Sequence, residues 1–243
     1  MIDPGHGGND YGTIYDNGRV KLAEKDVTLI LAREVAKKLR AQGIRTILTR
    51  NEDRDVPLAS RTAFANKVQA DVFISLHMNS TATPMVSDAQ GIETYILNNT
   101  TDASSRRLAH FENSVVGGSP NLPDQLDVAL ILKDLRLDAN LSESKRLACA
   151  VQSNLVLGTT PSPLSRLRNR GVKQALFYIL LGADMPSALV EVGFLTSPRD
   201  RALVMSVKGQ KRIAEAIATA ISHYSRSKGT RRALLDLASC KVN

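Results

Sequence analysis

Apolar positions along the chain alternate between a spacing typical of helices and a spacing typical of strands. The helical spacing, with apolar residues three and four positions apart, recurs in the segments 24–42, 57–69 and 207–224. Short apolar runs typical of strands occupy 44–50, 71–76, 91–98 and 188–192. This alternation predicts an α/β fold, with a mostly parallel twisted sheet flanked by helices on both faces.

The ends of the predicted strands carry the candidate chemistry. Residues 1–10 run from a short strand into a Pro-Gly turn, and glycines follow His6, so an imidazole is left at a strand end, where α/β proteins keep their sites. His77 directly follows the run 71–76, and Glu24 begins the first predicted helix. We therefore expect the three side chains to converge on one edge of the sheet.

Two imidazoles and one carboxylate are the ligand set of a catalytic zinc site, because structural zinc usually has four protein ligands. Glu191 interrupts the apolar run 188–192, and its burial would be costly unless it reaches the same edge and acts as a base. Each residue also has a structural alternative. His77 could be a hydrogen-bonded core histidine, Glu24 a helix-start acid favoured by the helix dipole, and Glu191 half of a buried ion pair.

Five segments resemble, in order and spacing, the zinc-dependent N-acetylmuramoyl-L-alanine amidases of the Amidase_3 family. They are DPGHGG at 3–8, AEKDVTL at 23–29, ISLHMNS at 74–80, RGVKQALFYIL at 170–180 and MPSALVEVGFLTSP at 185–198. The resemblance implies that His6, Glu24 and His77 bind one Zn²⁺ and that Glu191 is the catalytic acid. It also implies hydrolysis of the amide between N-acetylmuramic acid and L-alanine in peptidoglycan. Asn79, two residues past His77, is a candidate for orienting a substrate amide.

An inserted segment at about 102–140 resembles the regulatory segment of periplasmic cell-division amidases of Gram-negative bacteria. In those proteins an inserted helix holds the enzyme inactive until an activator with a LytM-type domain displaces it. Within the helix predicted over 102–116, Glu112 is positioned to act as a fourth zinc ligand, with Asp124 or Asp127 as the next candidates. The alternative is an unregulated amidase whose insertion shapes the substrate groove.

A second helix is predicted over 126–137 within the insertion, and a third over 143–157. The second helix has more apolar side chains than one packed face can bury, which predicts a docking surface for the activator. That docking surface comprises Val128, Leu130, Ile131, Leu132 and Leu135.

Two other function classes stay open at this level. A non-catalytic wall-binding module of the same fold could keep the zinc for structure, but it would have no use for Glu191. A zinc hydrolase of another amide, such as a deacetylase, would share the site and differ in the groove. Neither the residue types nor their spacing separates that hydrolase from a peptidoglycan amidase.

The amino-acid composition limits the kinds of binding partner that the chain is expected to have. The formal net charge of +8 predicts attraction to anionic polymers, including acidic wall glycans. The basic residues show no aromatic interleaving and no helix-turn-helix pattern, so nucleic acid is not an expected partner. The sequence contains no apolar run of 18 residues or more, so no integral membrane segment is expected. We expect a monomer with a catalytic domain over 1–225 and a basic tail over 226–243.

The two cysteines and the first residues of the chain serve as indicators of the cellular compartment. Cys149 and Cys240 are too few for a disulfide framework and match no paired-cysteine zinc or redox motif. Cys149 lies in an apolar helical pattern, so we expect its side chain to be buried and to act as a small hydrophobic residue. The chain opens in what resembles the second half of a strand, which predicts the loss of N-terminal sequence with a secretion signal. With the resemblance, this gives a periplasmic location.

Overall fold

The structure is a computed structural model that describes residues 1–81, 89–114, 140–157, 168–227, 240 and 242. The helix predicted over 126–137, with its proposed docking surface, lies outside the described residues. Asp124 and Asp127 lie outside them as well.

The described elements alternate as the hydrophobic pattern predicts. The strands are β1 Ile2–Pro4, β2 Ile14–Asp16, β3 Lys21–Ala23, β4 Phe73–Asn79, β5 Ile92–Leu97, β6 Asn169–Ala175 and β7 Ser187–Phe194. The helices are α1 Glu24–Ala41, α2 Leu58–Lys67, α3 Ala103–Asn113, α4 140–157, α5 Tyr178–Leu181, α6 Pro198–Met205 and α7 Val207–Ser227.

The central sheet has five strands in the order β1-β4-β7-β5-β6. Strands β1, β4 and β7 are parallel, β5 runs antiparallel to β7, and β6 is parallel to β5. The predicted mostly parallel α/β fold is confirmed. Because β5 is reversed, its first residues reach the edge where β4 and β7 end.

Helices cover both faces of this sheet, and each face has its own hydrophobic core. Helices α1, α4 and α7 pack on the first face, and α2, α3 and α5 pack on the second. In β4, Ile74, Leu76 and Met78 lie on the first face and Phe73 on the second. The two-residue period of a strand therefore directs His77 to the second face, towards α3.

The prediction of a strand over 44–50 is wrong. This segment runs beside β1 and exchanges two backbone hydrogen bonds with Ile2, from Ile2 N to Ile47 O at 2.9 Å and from Thr49 N to Ile2 O at 3.2 Å. The pairing stays an isolated parallel bridge between Ile2 and Leu48. A three-residue β1 offers too few partners for a longer ladder.

The expectation for Cys149 also needs correction. Cys149 is buried in α4, as predicted, but it forms a disulfide with Cys240 near the end of the chain. Val242 pairs with Val172 on the edge strand β6. The end of the predicted basic tail is thus attached to the domain at two points. Helix α7 also continues to Ser227, beyond its predicted end.

Candidate metal centre

His6 lies in the loop after β1, in a backbone conformation that its surroundings enforce. Its φ is 60°, which side chains adopt rarely and at some cost in strain. Two buried arginines hold the loop by its carbonyl oxygens. Arg61 donates to Pro4 O at 2.7 Å and to His6 O at 2.9 Å, and Arg50 donates to Gly5 O at 2.7 Å. These bonds fix the position of the imidazole.

Asp10 fixes the orientation of the same ring. Its Oδ2 lies 2.8 Å from His6 Nδ1, and its Oδ1 accepts a hydrogen bond from Gly12 N at 3.0 Å. A carboxylate on one ring nitrogen holds the proton there and turns the lone pair of the other nitrogen towards the site. Sequence reasoning missed Asp10, although a carboxylate four residues after a ligand histidine is a signal for this contact.

Glu24 is the first residue of α1, as predicted, and it is completely buried. Its Oε2 accepts from Thr13 N and its Oε1 from Met78 N, both at 2.8 Å. Burial alone would raise the pKa of this carboxyl, but His6 and His77 hold it well below its usual range. The carboxylate is therefore ionised and is held between the loop before β2 and strand β4.

Glu112 brings a second carboxylate to the same point from α3. Its Oε2 lies 3.3 Å from His6 Nε2 and 3.1 Å from His77 Nδ1. Glu24 Oε1 lies 3.1 Å and 3.2 Å from the same two nitrogens. The structure thus brings together His6, Glu24, His77 and Glu112, with one candidate ligand atom of each within 4.8 Å of the others.

These four atoms are close enough together to bind one metal ion. Although the nitrogens and oxygens are close enough for ion pairs, His6 Nε2 and His77 Nδ1 form no hydrogen bond with any described residue. Around a tetrahedral zinc with bonds of about 2.0–2.1 Å, neighbouring ligand atoms lie about 3.3 Å apart. The four nitrogen–oxygen separations are 3.1–3.3 Å, close to that spacing, and all four ligand atoms lie within 4.8 Å of one another. The residues fit a zinc ion.

Electrostatics favour a cation at the same point. Burial would lower the pKa of the His77 imidazole, but Glu112 and Glu24 raise it to about 10. The negative potential of two buried carboxylates that raises this pKa would equally stabilise a divalent cation. Carboxylate oxygen and imidazole nitrogen are both common zinc ligands.

Two glycines provide the space that the cluster needs. A Cβ at Gly5 would lie 2.5 Å from His77 Nε2, and one at Gly12 would lie 2.6 Å from Glu24 Oε2. Gly12 also has a φ of 61°, which favours glycine. A side chain at either position would displace a candidate ligand.

Glu191 lies beside the cluster on β7, in register with His77 on β4. It is fully buried, and neither carboxylate oxygen has a hydrogen-bond partner among the described residues. Burial, and next the negative charge of Glu112, raise its pKa well above the ordinary value. The predicted convergence of Glu191 with the two histidines and Glu24 on one edge of the sheet agrees with the structure.

Asn79 is buried close by, and its amide is engaged by protein groups. Its Nδ2 donates to Glu93 Oε2 at 3.1 Å, and its Oδ1 accepts from Ser80 N at 2.8 Å. Sequence reasoning missed Glu93, which lies in the apolar run of β5 just as Glu191 lies in that of β7. The same signal, one acid inside a buried strand, could have identified it.

The chain is similar to a known protein family over most of its length. The model of the Amidase_3 family, described as N-acetylmuramoyl-L-alanine amidase, matches residues 1–223. This chain belongs to that family. The match spans every residue of the candidate metal centre, so the family resemblance inferred from five short segments holds for nearly the whole chain.

Two relatives of the chain are named N-acetylmuramoyl-L-alanine amidases. The chain is 36% identical over 229 residues to the N-acetylmuramoyl-L-alanine amidase AmiC of Neisseria meningitidis serogroup B, which covers 92% of the chain and 52% of that protein. It is 34% identical over 229 residues to AmiA of Salmonella typhimurium, covering 92% of the chain and 75% of that protein. The chain therefore spans about half the length of the first relative and three quarters of the second.

Solved structures in the family share the fold. The crystal structure of an N-acetylmuramoyl-L-alanine amidase from Clostridium difficile 630 superimposes with a TM-score of 0.69 at 31% identity, covering 94% of this chain and 96% of that chain. The mixed sheet with helices on both faces is thus the architecture of the family. Among the described residues, no helix combines the length and the apolar character needed to cross a membrane.

Proposed function

We propose that this chain is a zinc-dependent hydrolase that cleaves the amide between N-acetylmuramic acid and L-alanine in peptidoglycan. The observation that carries the proposal is the buried cluster of His6, Glu24 and His77 beside the buried Glu191, which has no hydrogen-bond partner among the described residues. The family match supports the amide as the bond cleaved. A zinc-containing wall-binding module is disfavoured, because binding gives no reason to bury Glu191 without a partner. A zinc hydrolase of another amide lacks that support from the family.

Each side chain has a distinct role in this proposal. His6, Glu24 and His77 hold Zn²⁺, with Asp10 orienting His6. When bound, zinc acidifies a water and polarises the substrate carbonyl. Glu191 takes the proton of the attacking water and passes it to the leaving alanine nitrogen. A raised pKa suits this exchange, because such a carboxylate accepts a proton readily near neutral pH.

We further infer that the structure represents an autoinhibited state. Glu112 would complete a set of four protein ligands, and four protein ligands are characteristic of a closed structural zinc site. A catalytic site keeps one position for water or substrate. Helix α3 must therefore move away before hydrolysis, and an activator with a LytM-type domain that binds the inserted segment would drive that movement.

The proposed setting is septal wall splitting during cell division in the periplasm, by a monomer. Relatives named AmiC and AmiA support this setting. The Cys149–Cys240 disulfide supports an oxidising compartment. The net charge of +8 supports attraction to an acidic wall polymer.

The test is a digest of purified peptidoglycan by the zinc-loaded protein, with or without an activator. We expect the digest to release stem peptides with a free N-terminal alanine. The remaining glycan should carry free lactyl carboxyl groups. Metal analysis after dialysis should give about one zinc per chain in the parent and a large loss in His77→Ala. Release of acetate instead of stem peptides would indicate a deacetylase, and full zinc retention by His77→Ala would contradict the proposed ligand set.

A further inference from the structure

Asp3 is a completely buried acid that the proposed reaction leaves without a role. It lies on β1 in register with Ser75 on β4. Its Oδ2 accepts from Ser75 Oγ at 2.6 Å, and its Oδ1 accepts from Arg61 Nη1 at 3.0 Å and from Thr49 Oγ1. Burial alone would raise the pKa of Asp3, but the charge of Arg61 and the two hydroxyl donors lower it, so the carboxylate is ionised.

Arg61 is the partner of this charge, and its guanidinium also reaches the backbone of the loop that carries His6. The side chain of Arg61 is 2% exposed. Besides Asp3, its N–H groups bind three carbonyl oxygens, those of Pro4 at 2.7 Å, His6 at 2.9 Å and Val56 at 2.8 Å. A planar guanidinium can make these contacts together because its donors point in fixed directions. One side chain thus connects β1, the loop after it and the segment before α2.

This ion pair connects the two segments of chain that carry the histidine ligands. Ser75 lies two residues before His77 on the same face of β4, so the Asp3 carboxylate contacts the strand that carries one ligand. Through Arg61, the carboxylate also holds the loop that carries the other ligand. His6 has a φ of 60°, a conformation that persists only where the surrounding structure holds it.

We propose that Asp3 and Arg61 are positioning residues of the metal centre, which hold His6 in its ligating position and so raise the affinity for zinc. This inference rests on the proposed zinc site. Partners outside the ligand set commonly change metal affinity by about 10–100-fold, because they orient the ligands. Neither Asp3 nor Arg61 is a ligand itself, so their effect should appear in the zinc affinity and should depend on His6.

The test is the zinc affinity of Arg61→Lys, measured by equilibrium competition between the zinc-loaded protein and a chelator of known affinity. Lysine keeps the positive charge beside Asp3, but a single ammonium group cannot reproduce the fork of a guanidinium. We expect the zinc affinity to fall by about 10–100-fold. Arg45→Lys, the same substitution at an exposed position, is the matched control and should keep the parental affinity.

Two comparisons separate positioning from a general loss of stability. A variant that is less stable but still folded keeps the parental zinc affinity, because almost all of its molecules remain in the state that binds zinc. Urea unfolding in excess chelator checks that each variant is folded before the competition is measured. In a His6→Ala background, Arg61→Lys should have little further effect on zinc affinity, whereas in a His77→Ala background it should still weaken binding. A weaker chelator serves for these two backgrounds.

Asp3→Asn tests the same ion pair from its other side. Asparagine keeps the shape of the side chain and an acceptor for Arg61, but it removes the charge that holds the guanidinium in place. We expect a loss of zinc affinity in the same direction, and again only while His6 is present. The measurement on Asp3→Asn decides the proposal if Arg61→Lys does not fold.

Specific outcomes would overturn the positioning role. Parental zinc affinity in folded Arg61→Lys would do so. Equal losses in the parent and in the His6→Ala background would do so as well, because the effect would then not act through His6. A parent that binds zinc and is insensitive to both substitutions would overturn the positioning role alone, whereas a parent that binds no zinc would overturn the zinc site itself.

Discussion

Glu191 and Glu93 face each other across two adjacent strands, yet their pKa values shift in opposite directions. Glu93 has four donors, so its charged form is stabilised despite burial. Glu191 has no hydrogen-bond partner among the described residues, so burial favours its protonated form. In the proposed mechanism these two carboxylates have different roles: Glu93 holds a fixed charge and Glu191 exchanges a proton.

We predict that Glu191→Gln lowers hydrolysis by about 10²–10⁴-fold, the usual contribution of a general acid–base residue. Glutamine preserves the shape of the side chain but cannot take the proton of the attacking water. The measurement is the rate of wall-fragment hydrolysis at equal zinc content. Wild-type rates in a zinc-loaded, folded Glu191→Gln protein would remove Glu191 from the mechanism.

At this scale, sequence identified the residues that end or interrupt apolar runs. His6, His77 and Glu191 were recognisable because a polar side chain at such a position needs a reason to be buried. Glu93 interrupts a similar run but was not recognised, since its reason for burial is a network of donors from β4, β5 and β6. That network exists only after the strands are ordered in the sheet, and no pattern along the chain gives the strand order.

Among the elements, α3 is held on the domain by polar contacts more than by apolar ones. Ala109 is its buried apolar side chain in the second core and Leu108 packs against that core partly buried, while Phe111 is 44% exposed. Next to Glu112, the buried amide of Asn113 donates to Leu176 O and accepts from Tyr178 N, both at 2.8 Å. A helix with this small apolar contact can leave the domain without exposing a large hydrophobic surface.

We predict that Glu112→Ala and Asn113→Ala each raise basal hydrolysis in the absence of an activator. Loss of the Glu112 carboxylate would leave one position on the metal free for water. Loss of the Asn113 amide leaves Leu176 O and Tyr178 N unpaired while α3 is packed on the domain, whereas water can pair with them once α3 has moved away. Such unpaired groups cost about 1–3 kcal/mol, which corresponds to a shift of about 5- to 150-fold towards the undocked state. Basal rates at equal zinc content, together with hydrogen exchange of α3, measure the effect.

Arg107→Ala, on the exposed side of the same helix, should leave both readouts unchanged and serves as the control. If Glu112→Ala leaves basal hydrolysis unchanged at equal metal content, Glu112 does not block the site. Asp124 and Asp127 would then be tested next. Faster hydrogen exchange in Asn113→Ala without faster hydrolysis would show that undocking alone does not activate the enzyme.

Element prediction from the sequence succeeded where an element is long and apolar. Helices α1 and α7 and strand β7 follow their predicted segments closely, whereas β4 extends three residues past its predicted end, so His77 lies within the strand rather than just after it. The segment 44–50 failed because its alternation resembles a strand while β1 is too short to pair with it. Strand β6 was missed because its residues are mostly polar, and pairing with β5 rather than hydrophobicity specifies it.

For the whole molecule, the contact that sequence did not predict is the disulfide between α4 and the end of the chain. Cys149 and Cys240 are 91 residues apart, and nothing in their local patterns links them. Close to the disulfide in sequence, Val242 pairs with Val172 on β6, the strand that also carries Lys173. This bridge covers part of the sheet edge, which would otherwise present unpaired backbone groups.

We predict that reducing this disulfide lowers the free energy of unfolding by roughly 2–4 kcal/mol, because the unfolded chain regains the freedom of a long loop. Urea unfolding of the parent with and without dithiothreitol measures the loss. Cys240→Ser should unfold like the reduced parent and be insensitive to dithiothreitol, since Cys149 then remains a buried thiol. If both cysteines of the unreduced, denatured parent react with maleimide, the disulfide is absent and its support for an oxidising compartment is lost.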